Sequence, residues 1–202
     1  MKTSRRSVPR LLWISPGRGL GQDLHDRLAS CAGAGLPAFQ LRERCEPAGE
    51  LLEACRMLKP LMRDGLFLVN DRVDLALSAG ADGVHLGSGS LPVRVARALL
   101  GKDALISRAV HDRRELDEAE GADMVLVSPL FPVNKPGDPL GLAGLEALVR
   151  ASPAPVLALG GIVPERVRAV LDTGAHGVAV LSAIANAGEP ERMIESFLEQ
   201  LG

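Results

Sequence analysis

Eight alternating strand and helix units predict an α/β protein, a single (β/α)8 barrel of the TIM type with short loops. Two observations predict it. The first is a repeated unit: "SAGADGVHLG" (78–87), "AEGADMVLVS" (119–128) and "DTGAHGVAVLS" (172–182) each follow an amphipathic stretch with a glycine and then a short aliphatic run. Gly80, Gly121 and Gly174 suit the left-handed residue that ends a helix, and short continuous apolar runs suit strands buried on both faces. "AGAGLPAFQLRE" (32–43) is a looser copy. The second observation is the count, because eight parallel strands are the number that closes this barrel.

The strands are expected near 11–15, 38–42, 66–69, 83–86, 105–110, 123–127, 156–159 and 177–181. Helical stretches such as "EPAGELLEACRMLKPLMRD" and "PERVRAVLDTG" lie between them. A doubly wound open sheet is the alternative. It is disfavoured because no G-x-G-x-x-G follows the first strand. Residues 1–202 then form one domain, with 1–9 as a flexible basic tail.

Composition narrows the function. The 202 residues are 47% hydrophobic and 24% charged, with a formal net charge of −2. That balance lacks the basic excess of a nucleic-acid surface, and four Phe, one Trp and no Tyr leave few stacking platforms. No apolar run is long enough for a membrane span. Cys31, Cys45 and Cys55 show no C-x-x-C spacing, which fits free thiols and a cytoplasmic location. No nucleic-acid or membrane partner is expected; a homo-oligomer is compatible with the sequence.

In this barrel, chemistry sits at the C-terminal ends of the strands. "FQLRERCEP" places Gln40, Arg42 and Arg44 on one side of the second strand by alternation. They suit a cationic grip on a carboxylate or phosphate, or a solvated rim. "LVNDRV" ends the third strand with Asn70 and Asp71, the latter either a helix N-cap or a ligand. Ser90, before Leu91-Pro92, reads as a helix start. His85 lies inside a strand and reads as a satisfied core residue, while His25 and His176 read as surface or loop residues. "SPLFPVNKPGDPLGL" (128–142) reads as a stiff binding loop, with Lys135 either reaching a bound anion or exposed. Gly160-Gly161 after strand seven and Ser182-Ala183 after strand eight form a phosphate cradle from backbone N–H groups. No metal constellation is evident.

"ISRAVHD" (106–112) remains. Arg108 and Val110 alternate with Ala109 and His111, so His111 should share a side with Ala109. His111 is then a proton-transfer candidate at a strand end.

Taken in order, "FQLRER", "VNDRVDLALSAGADGVHLG", "SPLFPVNKPG", "LALGGI" and "GVAVLSAI" resemble the thiamine phosphate synthase/TenI superfamily over nearly the whole chain. The resemblance implies a (β/α)8 barrel of the thiamine pathway. Its synthase branch joins a hydroxymethylpyrimidine diphosphate to a thiazole phosphate with Mg²⁺. Gln40, Arg42, Asn70, Asp71 and Lys135 match that branch. Arg44 stands for its lysine, Ser90 for its second Mg²⁺ aspartate, Ala109 for its serine and Val133 for a threonine. Its TenI branch is a thiazole tautomerase, whose proton-transfer histidine matches His111 in "SRAVHD".

The expectation is therefore a TenI-like thiazole tautomerase, an isomerase that aromatises a carboxythiazole phosphate. His111 is the catalytic residue, Gln40, Arg42, Arg44, Asn70 and Lys135 bind substrate, and Gly160, Gly161, Ser182 and Ala183 bind its phosphate. No cofactor is expected on that reading. The alternatives are a Mg²⁺-dependent thiamine phosphate synthase, with Asp71 as metal ligand, and a non-catalytic binder of thiazole or thiamine phosphates.

Overall fold

The computed structural model describes residues 7–133 and 138–202. Among the described residues, eight parallel strands close a barrel in the order β1 to β8. They are β1 (Leu11–Ile14), β2 (Ala38–Leu41), β3 (Leu66–Asn70), β4 (Gly83–Leu86), β5 (Leu105–Val110), β6 (Met124–Val127), β7 (Val156–Leu159) and β8 (Gly177–Val180). Each predicted strand is present within a residue or two of its expected bounds. The helices are α1 (Gln22–Gly33), α2 (Ala48–Leu58), α3 (Val73–Ser78), α4 (Val93–Leu100), α5 (Arg113–Asp117), α6 (Gly141–Ala151), α7 (Pro164–Leu171), α8 (Ser182–Ala185) and α9 (Pro190–Leu201). A 3₁₀ turn, Lys59–Met62, extends α2.

Alternation along each strand sorts the side chains into two cores. Leu11, Trp13, Phe39, Phe67, Val84, Ile106, Val125 and their neighbours face the helices. Leu12, Ile14, Ala38, Leu68, Leu105, Met124, Leu126, Leu157 and Ala179 fill the bore. Trp13, Phe39 and Phe67 pack against one another in tilted pairs outside β1 to β3, with ring centroids 5.0 and 5.8 Å apart.

The repeat explains the register. Gly80, Gly121 and Gly174 have φ of 61°, 82° and 88°, as expected of helix stops. The polar residue two places later pins a strand. Asp82 Oδ2 accepts from the Phe67 N–H at 2.8 Å, and Asp123 Oδ2 accepts from the Ile106 N–H at 2.8 Å. His176, read as a surface or loop residue, lies in the loop before β8, half-buried, and contacts the Val8 carbonyl through Nε2 at 3.1 Å. His25 pairs with Asp26 on exposed α1.

Residues 1–6 of the expected tail lie outside the described residues, whereas Pro9 is buried and Val8 packs against the bore core. Cys31 and Cys55 are buried free thiols and Cys45 is an exposed one. Burial pushes the first two up to about 12 and about 11, so they act as packing groups. No helix of the described residues is long and apolar enough to cross a membrane.

Candidate active site

A cavity of about 680 Å³ opens at the C-terminal ends of the strands. Every strand lines it directly or through the residue that follows: Ile14, Gln40, Asn70, His85, Ala109, Leu126, Leu159 and Leu181 in turn. The wall is divided by polarity. From β2 to β4 the lining positions are Gln40, Asn70 and His85; from β5 round to β1 they are Ala109, Leu126, Leu159, Leu181 and Ile14. A flat heterocycle with one hydrogen-bonding edge fits such a wall.

On the polar side, Gln40 is fully buried and its Nε2 donates to Asn70 Oδ1 at 3.0 Å. Gln40 Oε1 has no hydrogen-bond partner among the described residues. A buried acceptor left unpaired costs about 1–3 kcal/mol, so a ligand donor there would be well rewarded. His85 Nδ1 lies 2.9 Å from Ser107 Oγ. It is the satisfied core residue expected from sequence, and it also forms the cavity floor. Desolvation, helped by the charges of Arg108 and Arg42, pushes its pKa down to about 4.

That depression has a measurable consequence. The unfolded histidine takes up a proton near its ordinary pKa of 6.5, before the folded one does. Neutral burial therefore stabilises the fold fully above pH 6.5, and the gain disappears as pH falls through about 4. Chemical denaturation at pH 7 and pH 5 should show about 2 kcal/mol less stability at the lower pH from this group. His85→Gln should flatten that slope; an equal slope in the variant would refute the assignment.

The rim carries the charge. Arg42 and Arg44 line the cavity, as alternation predicts, with Glu43 between them. Burial, then the neighbouring Arg44, lowers the pKa of Arg42. Glu43, which the sequence reading left out, is buried. Its Oε1 accepts from Ser15 Oγ at 2.8 Å and the Gly17 N–H at 3.1 Å, and its Oε2 accepts from the Gly19 N–H at 2.9 Å. Ser15 Oγ in turn accepts from the Arg42 N–H at 2.7 Å. Glu43 thus ties the β1–α1 loop to the arginine-bearing end of β2.

Asp71 is not a helix cap: α3 starts at Val73 without a side-chain cap. Asp71 adopts φ 64°, a left-handed conformation uncommon for a non-glycine residue, and its N–H donates to the His85 carbonyl at 2.7 Å. Its carboxylate hydrogen-bonds to no described residue and faces the cavity. Arg72 beside it is held by Asp74 through two contacts of 2.9 and 2.6 Å. Ser90 is not a helix start either; α4 begins at Val93 after Pro92. Ser90 Oγ instead accepts from the Gly87 N–H at 2.7 Å and closes a loop on the cavity wall.

His111 and Ala109 share the cavity side, as alternation requires. Both the His111 N–H and its Nδ1 meet Glu115 Oε2, at 2.8 and 2.6 Å. Asp112 is the N-cap of α5 and accepts from the Glu115 N–H at 2.8 Å. The pair Asp112/Glu115 is a displaced capping box, so part of what makes "AVHD" conspicuous is the start of a helix.

The phosphate-cradle residues sit on adjacent strand ends but outside the lining of this cavity, which stops at Leu159 and Leu181. Gly160 and Gly161 have φ of 110° and 65°. A Cβ at Gly160 would come within 3.0 Å of Leu130 N, and one at Gly161 within 2.9 Å of Phe131 Cβ. The pair therefore lets the β7–α7 turn pack under the β6–α6 loop. Ser182 opens the short α8. Lys135 lies outside the described residues. Among these, no group of three or more His, Cys, Asp or Glu side chains gathers to hold a metal.

Fold and site together define a (β/α)8 barrel whose strand-end cavity is half apolar and half polar, with cations at the polar rim. The chain belongs to the thiamine monophosphate synthase family, whose model matches residues 11–184. It is 46% identical over 177 residues to thiamine-phosphate synthase of Anaeromyxobacter dehalogenans, covering 85% of this chain and 80% of that protein. It is 39% identical over 183 residues to the same enzyme of Moorella thermoacetica, covering 87% of each. Among solved structures, thiamine phosphate pyrophosphorylase from Pyrococcus furiosus superposes with a TM-score of 0.86 at 34% identity, covering 95% of both chains.

These relatives overturn the expectation of a TenI-like tautomerase and of an isomerase: at 46% and 39% identity they carry the synthase name. The error lay in weighting His111, whose surroundings are those of a helix start, above the Gln40–Asn70–Asp71 set.

Proposed function

We propose that this protein is a thiamine-phosphate synthase that joins a hydroxymethylpyrimidine diphosphate to a thiazole phosphate and releases diphosphate. The observation that carries the reading is the polar arc closed by arginines: the unpaired Gln40 acceptor at its floor and Arg42 and Arg44 at its rim. The names of the relatives support it.

In the reaction, the thiazole ring nitrogen bonds to the methylene carbon of the pyrimidine. The bond from that carbon to the diphosphate oxygen breaks, and its electron pair leaves with diphosphate. Negative charge grows on the leaving oxygen, so the cations must face it. Arg42 and Arg44 take that place. Gln40 and Asn70 hold the pyrimidine edge and fix the methylene carbon. Leu126, Leu159 and Leu181 exclude water, which would otherwise compete with the thiazole nitrogen. Gly160, Gly161, Ser182 and Ala183, on the neighbouring rim, offer backbone N–H groups to the thiazole phosphate.

The residues fit Mg²⁺ as a one-carboxylate site. Mg²⁺ commonly uses one or two carboxylates together with substrate phosphates. Asp71 presents a carboxylate without a hydrogen-bond partner among the described residues, whereas both oxygens of Glu43 are already engaged. When bound, the ion would neutralise charge on the departing diphosphate.

The test is direct. Purified protein with pyrimidine diphosphate, thiazole phosphate and Mg²⁺ should yield thiamine phosphate and diphosphate in equal amounts; absence of both products would end the reading. His111→Gln should cost less than about tenfold in kcat/KM, because a general acid or base contributes about 10²–10⁴-fold and no proton leaves carbon here. A loss in that larger range would return the histidine to the chemistry.

A further inference from the structure

We propose that Arg108 is a positioning residue: from the outside of the barrel it anchors the Gly87–Ser90 wall of the cavity and so sets the affinity for the pyrimidine diphosphate. The proposal rests on the synthase reading for the substrate and on geometry for the anchor.

Arg108 is the exception among the described outward-facing strand residues. Its neighbours on β5, Ile106 and Val110, are core hydrophobics, and its register partner on β4 is Leu86. Arg108 itself is only 5% exposed. Its Nη1 donates to the Gly87 carbonyl at 2.7 Å and its Nη2 to the Ser88 carbonyl at 3.5 Å. Its ion-pair partner, Glu118 at the C-cap of α5, is 3.8 Å away and half-exposed. Its Nε has no partner among the described residues. A buried guanidinium answered mainly by two loop carbonyls is a poor device for stability, since apolar replacements of buried ions are often neutral. It is a good device for holding a loop.

The loop it holds needs holding. Gly87, Ser88, Gly89 and Ser90 all line the cavity, and their internal ties are two hydrogen bonds between the ends, Gly87 N–H to Ser90 Oγ at 2.7 Å and Ser90 N–H to the Gly87 carbonyl at 3.1 Å. The wall stands next to Asp71, which reaches β4 through the His85 carbonyl. It therefore borders the diphosphate side of the cavity and lies across from the β7 and β8 rim given to the thiazole phosphate.

The experiment compares wild type with Arg108→Met, which keeps the volume, and Arg108→Lys, which keeps the charge. Arg108→Met should raise KM for the pyrimidine diphosphate about tenfold, the scale of one lost charge-assisted hydrogen bond. KM for the thiazole phosphate should stay within about twofold, and Arg108→Lys should recover part of the loss. Amide hydrogen exchange in 87–90 should accelerate in Arg108→Met, a segment-specific change that general destabilisation would not give. Both KM values unchanged, or both raised equally, would overturn the proposal, as would unchanged exchange in 87–90. If Arg108→Met does not fold, Arg108→Lys against Arg108→Gln decides by the same two readouts. If wild type makes no thiamine phosphate, the synthase reading fails by itself. The anchor is then judged by exchange together with binding of inorganic diphosphate, which Arg108→Met should weaken.

Discussion

Asp71→Asn should lower kcat/KM by about 10²–10³ if Asp71 holds Mg²⁺ as proposed, because such a ligand supports several kcal/mol of leaving-group stabilisation and each 1.36 kcal/mol is tenfold. Asparagine suits the test. It preserves the side-chain shape and, like aspartate, tolerates the left-handed backbone that φ 64° imposes. The loss is therefore one of charge alone. Titration of activity with Mg²⁺ should show the half-saturating concentration rising in step. Conversely, Ser90→Asp adds a second carboxylate to the cavity wall and should lower that concentration below the wild-type value. A variant Asp71→Asn with normal activity and normal Mg²⁺ dependence would remove Asp71 from the site.

A large stability effect is expected far from the chemistry. Gly177 opens β8, and a Cβ there would lie 2.1 Å from the Arg10 carbonyl oxygen. That carbonyl accepts the Val178 N–H at 2.9 Å, a ladder bond that closes the barrel between β8 and β1. Neither backbone can move without opening the seam. Gly177→Ala should cost about 4 kcal/mol, at the upper end of overpacking, and lower Tm by about 10 °C. Gly49→Ala, in the first turn of α2 with open space around its Cβ position, should stay within about 0.5 kcal/mol of wild type. Equal Tm values for the two variants would refute the steric argument.

Much of the fold was legible because burial on both faces leaves strands such as "MVLV" and "VLAL" as unbroken apolar runs, and because glycine stops mark the helices before them. The rim was legible for the same reason: a known strand end fixes where Gln40, Arg42, Asn70 and His111 must emerge. The misreadings share a cause. Asp71 and Ser90 look like helix starts by local rules, but their partners, His85 and Gly87, sit elsewhere on the rim. The roles of Glu43, Glu115 and Arg108 escaped notice because a charged residue beside a strand end reads as solvated until its acceptors or donors are placed in space. Choosing between branches of the family was harder still. It turned on a single histidine, and a histidine before Asp-x-x-Glu serves a capping box as well as a proton relay.

The aspartates of the internal repeat carry a last consequence. Asp82 and Asp123 grip the N–H of the second residue of β3 and of β5, Phe67 and Ile106, at the end of the barrel opposite the cavity. Strand alignment is thus decided on one face and reactivity on the other. Substitutions at the rim should therefore leave each strand in its slot: a lysine exchanged for Arg44 or a carboxylate for Ser90 should not open the barrel.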